Sequence, residues 1–281
     1  MIASAYDGRV RRGFVTGVLG CVLLCALPVN ADAELVGEFS ARLTDVKRSY
    51  GAYTVVADAR AYETSGAPPP ILNQATVHFP RGASLRSAFL RDEFYCDRER
   101  LMRYPPDPVR CRNSYFARGT IVLDARPDID TPFSADVHLF LAKGSAGALA
   151  SVAVLVLPND FTPVYTYQLL EGRLVDESGT SNRFGYRLEL PTYVRPLIPG
   201  LNLSLAEMHL KIRGLRLERR GMGPLFWTKV PNCPRSRKVA FGADYTFQGA
   251  APIKKRRQVD CRRFVRRPSV HREGQVPGAP G

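Results

Sequence analysis

Apolar residues return at every second position in segment after segment of this chain, and that period excludes a helical core. Tyr53, Val55, Ala57, Ala59 and Ala61 alternate with Thr54, Asp58 and Arg60. Ala135, Val137, Leu139 and Leu141 alternate with Ser134, Asp136 and His138, and Phe184, Tyr186, Leu188 and Leu190 alternate with Gly185, Arg187 and Glu189. Successive side chains on a strand point to opposite faces, so each segment reads as a half-buried strand. Residues 71–79 read as a strand stopped by Pro80-Arg81-Gly82, and further strands are expected at 114–123, 166–176, 226–230 and 239–247.

One stretch breaks the alternation. Residues 148–157 are apolar on both parities and end at Pro158-Asn159-Asp160, which suits a central strand covered on both faces. Lys143-Gly144-Ser145-Ala146-Gly147 joins it to the strand before as a hairpin turn. Across 201–217 the apolar parity changes twice, a pattern that also fits helical spacing; strands interrupted by a bulge or turn near Ala206 and Arg213-Gly214 are the better reading, because Gly214 would fall inside the helix. A short helical turn is expected around 97–102. The fold class is therefore all-β, an antiparallel sandwich or open barrel with few short helical turns.

The first 33 residues read as an export signal: Arg9, Arg11 and Arg12, an apolar run over 14–27, and a small-x-small site at Ala31-Asp32-Ala33. The run is shorter than the roughly twenty residues that span a bilayer. Val18-Leu19-Gly20-Cys21 resembles a lipoprotein cleavage site, but the apolar run continues past Cys21. Residues 34–264 are expected to form one β-rich domain, and 265–281 a disordered, basic, Pro/Gly-rich tail. Beyond the signal stand four cysteines, Cys96, Cys111, Cys233 and Cys261, an even number that argues for disulfides in an exported chain. Three connectivities exist; proximity favours Cys96 with Cys111 and Cys233 with Cys261. No C-x-x-C pair supports zinc.

Formal charge over the whole chain is +14. It is concentrated at the end, where Lys254, Lys255, Arg256, Arg257, Arg262, Arg263, Arg266, Arg267 and Arg272 face only Asp260 and Glu273. Lys254, Lys255, Arg256, Arg257, Arg262 and Arg263 are the candidate binding residues, directed at an anionic cell-wall polymer or a membrane surface. A Cys233–Cys261 bond would hold this patch against the fold. Nucleic acid is not expected as a physiological partner of an exported chain, and Phe264 alone interleaves the charges, so base stacking lacks support.

Catalytic signatures are missing from the sequence: it contains no G-x-S-x-G, no H-E-x-x-H and no phosphate-binding loop. His78, His138 and His209 lie in expected strands, as solvent-facing or structurally bonded imidazoles, and His271 lies in the tail. Asp124, Asp128 and Asp130 share a turn without the glycine bend and distal glutamate of a calcium loop. Phe161, Tyr165, Tyr167, Phe226 and Trp227 fit a core better than a pocket. No cofactor is expected.

At Pro80-Arg81-Gly82, Cys96, Cys111, Arg118-Gly119-Thr120, Val230-Pro231-Asn232-Cys233-Pro234 and Tyr245-Thr246-Phe247 the chain resembles a group of exported, β-rich proteins of high-GC actinobacterial genomes. Arg112 stands where that pattern has proline. The resemblance implies a β fold and export, and transfers no active site. The expectation is a secreted or envelope-associated, non-enzymatic binding protein; a carrier of a small apolar ligand in a β-lined cavity and an envelope hydrolase are the alternatives.

Overall fold

Alternation becomes strand at each place where it was read. The computed structural model describes residues 33–44, 54–81, 83–85, 92–144, 147–159, 167–181, 183–192, 201–213, 216–219, 222–226, 228–229 and 233–261. The signal segment up to residue 32, Phe161, Tyr165, Arg262, Arg263, His271 and the tail lie outside them. In chain order the strands are β1 (Leu35–Thr44), β2 (Thr54–Glu63), β3 (Leu72–Pro80), β4 (Ser84–Leu85), β5 (Tyr115–Ala125), β6 (Ile129–Ala142), β7 (Ala150–Pro158) and β8 (Gln168–Asp176). They continue as β9 (Phe184–Pro191), β10 (Ser204–Ile212), β11 (Arg216–Arg219), β12 (Met222–Phe226), β13 (Thr228–Lys229), β14 (Lys238–Phe247) and β15 (Ile253–Asp260). One helix, α1 (Arg98–Met102), starts at Asp97, whose carboxylate accepts from Glu99 N.

Eleven strands form one antiparallel sheet in the order β1-β2-β10-β5-β6-β7-β8-β9-β3-β14-β15. The sheet curls into a nearly closed barrel, bringing its two edges together. Because every neighbouring pair is antiparallel and eleven is odd, β1 and β15 run in the same direction where they meet. No backbone ladder joins them. Instead Arg257 Nε donates to Phe39 O at 3.0 Å and Tyr245 Oη donates to Glu38 O at 3.1 Å. Gly37 lets the strands approach, since a Cβ there would stand 3.0 Å from Ile253 Cγ2.

The alternating apolar faces point into the barrel. Val55 and Ala57 from β2, Val77 and Phe79 from β3, Tyr186 and Leu188 from β9, and Phe241 and Tyr245 from β14 belong to one buried cluster. Phe79 stacks on Tyr186 with centroids 4.4 Å apart. β7 sits between β6 and β8. Its Val152, Val154 and Val156 join the interior, while Ala153 and Leu155 enter a second cluster outside the barrel with Cys96, Leu101, Cys111 and Phe140. That is why residues 148–157 are apolar on both parities.

The second cluster explains the cysteine-bracketed segment. Cys96 bonds Cys111 and Cys233 bonds Cys261, with Cα–Cα distances of 5.4 and 5.6 Å. Cys96 N donates to Leu141 O and Leu141 N to Ser114 O, so the segment is stitched onto β6 as an external cover. Residues 201–217 show the expected breaks: a register shift between Leu205 and Glu207, and an end to β10 at Ile212. Both edge strands of the large sheet were unforeseen, as were the short β4 and most of β12. β1 dilutes its alternation with Gly37 and Ala41, and β15 carries apolar residues only at Ile253 and Val259, so its Lys254–Gln258 stretch reads as charge rather than as strand.

Candidate functional site

The expected basic patch is a strand. Lys254, Lys255, Arg256 and Arg257 lie in β15, paired to β14 with Lys254 opposite Asp244 and Arg256 opposite Gly242. Two of the four cations are committed to the fold. Arg257 bridges the seam, and Arg256 pairs with Asp244, donates to Ala243 O at 3.2 Å and lies 5.3 Å over the Phe184 ring. Lys254 and Lys255 have no ion-pair partner among the described residues. Arg262 and Arg263 lie outside the described residues.

Bonding between Cys233 and Cys261 adds residues that the sequence reading missed. It brings Pro234-Arg235-Ser236-Arg237-Lys238 to the end of β15, where Cys261 N donates to Arg237 O at 2.8 Å and Lys238 faces Asp260. Arg235, Arg237 and Lys238 are all exposed. The signal was available in the basic C-P-R-S-R-K run after Cys233, but only the connectivity makes it continuous with β15. At about 3.3 Å per residue, the cations from Lys254 to Arg237 form a strip roughly 20 Å long.

Behind the strip lies a buried charge network on the outer face of β3, β9 and β14. His78 is 6% exposed; its Nδ1 is 2.8 Å from Glu177 Oε2 and its Nε2 is 3.1 Å from Asp244 Oδ2, close enough to pair although outside linear hydrogen-bond geometry. The Nδ1 contact is a hydrogen bond, whereas Nε2 has no hydrogen-bond partner among the described residues. Arg187 links Glu177 to Glu189, and Arg173 holds the other Glu189 oxygen at 2.8 Å. Partial burial pushes the Asp244 carboxyl up, but the close contact with His78, the hydrogen bond from Arg256 and the charges of both outweigh it and hold the group down at about 2. The network fixes Arg256.

The other two described histidines, His138 and His209, are also bonded. His138 Nδ1 is 3.2 Å from Tyr115 Oη. His209 pairs with Asp58, which also accepts from Ser40 Oγ at 3.0 Å, in a cleft of about 730 Å³ on the outer face of β1, β2, β10 and β5. Here the serine is bonded to the carboxylate and not to the imidazole, the wrong order for activating a hydroxyl. Asp124 is buried and pairs with Arg126 at 2.6 Å, which makes the Asp124–Asp130 turn a closed hairpin rather than an open ligand set. No group of three metal-binding side chains occurs among the described residues. Inside the barrel, the space between Ile121, Val154, Leu190 and Met208 amounts to about 30 Å³.

A separate cleft of about 470 Å³ opens in the outer cover, lined by Arg100, Arg110 and Arg112. No helix among the described residues is long and apolar enough to cross a membrane. No family model, curated protein or solved structure matches the chain.

Proposed function

We propose that this is a secreted, non-enzymatic β-barrel protein of the cell envelope that docks anionic groups, on a polymer or on lipid headgroups, along its β15 strip. The observation carrying this reading is the Cys233–Cys261 bond, which fixes Arg235, Arg237 and Lys238 at the end of β15, whose outer face carries Lys254 and Arg256. On β15, Lys254 and Arg256 share the outer face and Lys255 takes the other parity; a rigid row running from Lys254 through Arg256 to the exposed Arg235, Arg237 and Lys238 suits a linear polyanion without ordering a flexible tail. Two disulfides are compatible with an oxidising, extracellular setting.

Binding of the full chain to polyphosphate and to vesicles containing phosphatidylglycerol, measured across salt, tests the reading and separates the two sources. Each cation near an anionic surface contributes about 1 kcal/mol, so replacing Arg235, Arg237 and Lys238 together by alanine weakens binding about 100-fold at physiological salt. Salt-independent binding, or binding unchanged in the triple variant, refutes it.

A further inference from the structure

The outer cover holds a second concentration of unpaired cations, and it differs chemically from the strip. Arg100, Arg110 and Arg112 line one cleft with Tyr95, Asn113 and Ser114. None of the three guanidinium groups has a carboxylate partner among the described residues. Two carboxylates share the cleft, but each has one oxygen committed to the backbone: Asp97 accepts from Glu99 N at 3.0 Å and Asp107 from Val109 N at 2.8 Å. The balance in the cleft is positive. Arg110 is held in place by its bond to Arg103 O.

Rigidity and size favour a small ligand. The disulfide, the Asp97 and Asp107 caps and the bonds to β6 fix the walls, and Leu101 anchors them with no exposure. A volume of about 470 Å³ falls within the roughly 300–1,000 Å³ of small-molecule sites. Guanidinium forks match phosphate oxygens in pairs.

The rim adds an apolar element. Tyr104 is 83% exposed and Val109 is 67% exposed, the two large apolar side chains of the described residues left most open to solvent. Both belong to this cover: Val109 lines the cleft and Tyr104 follows the Arg103 carbonyl that Arg110 grips. A tyrosine beside arginines is the composition of a membrane–water boundary and of binding hot spots.

We infer that this cleft binds a phosphate ester through Arg100, Arg110 and Arg112, with Tyr104 and Val109 receiving the apolar part of the same ligand, as an anionic phospholipid would present it. The cover lies over β6, β7 and β8, half the sheet away from the β15 strip in strand order, so the site stands or falls independently of the strip.

Titration calorimetry on the full chain, with glycerol 3-phosphate and with monomeric short-chain phosphatidylglycerol as probes, tests the inference. The expected result is saturable binding of both, tighter for the lipid. Arg100→Gln with Arg112→Gln weakens both by at least about tenfold at an unchanged melting temperature. The lysine pair at the same positions recovers part of the loss, because charge returns without the fork. Tyr104→Ser with Val109→Ser weakens only the lipid. Replacing Arg235, Arg237 and Lys238 by alanine changes neither. Absence of saturable binding, or binding that survives the glutamine pair, overturns the site; equal affinity for the two probes overturns the lipid half and leaves a receptor for soluble phosphate esters.

Discussion

At the scale of single residues, His78 concentrates the most charge in the least water. It stands between Glu177 and Asp244 with Phe184 tilted against it, ring centroids 4.9 Å apart. Removing one member of a buried ion pair leaves its partner uncompensated, so His78→Ala is expected to cost about 3 kcal/mol or more in denaturant melts. Asp244 gives a pH signature. Its carboxyl is held at about 2 in the folded chain against an ordinary value of 3.8, so the stability it contributes is complete above the ordinary value and is lost as pH falls through about 2. Thermal melts between pH 5 and pH 2 should therefore show a shallower acid decline for Asp244→Asn than for the native chain.

At the scale of elements, the outer cover converts a strand into a buried one. Leu101 is fully buried on the outer face of β6 and β7, and Leu101→Ala is expected to lose about 2–5 kcal/mol. Gly119 marks the closest approach between β5 and β10: a Cβ there would fall 1.9 Å from His209 O, so Gly119→Ala must part the two strands. A loss of about 1–3 kcal/mol or more is expected from chemical denaturation. Elements with one apolar face were legible from period alone, as in β2, β6 and β9, and so was the bulge at Ala206, because a parity change is a local signal. The short helix was legible through Asp97 and the covered strand through its double parity. β15 was not, since Lys254 to Gln258 carry no apolar period and the strand is held by its ladder to β14 and its seam with β1. The His78 network was not legible either. Its members come from β3, β8, β9, β14, β15 and the turn after β8, and only cross-strand register, with His78 opposite both Arg187 and Gly242, brings them together.

At the scale of the whole molecule, an odd count of antiparallel strands leaves a seam at which two strands meet in parallel, and the charged sequence at the end of the chain closes it. Unpaired edges invite pairing with other chains, and lysines and arginines on β15 oppose that. The same strand thus protects an edge, bridges the seam through Arg257, and carries Lys254 at one end and the disulfide-linked Arg235, Arg237 and Lys238 at the other. The all-β class was legible from the strand period, but this closure was not. Hydrogen exchange of the full chain, with and without polyphosphate, tests the fixed cationic strip most directly. Slow exchange at 254–260 in the free chain, slowed further there and at 235–238 by polyphosphate while the outer cover is unchanged, is the result predicted. Exchange at 254–260 as fast as in an unstructured peptide, or protection by polyphosphate confined to other parts of the chain, would contradict it.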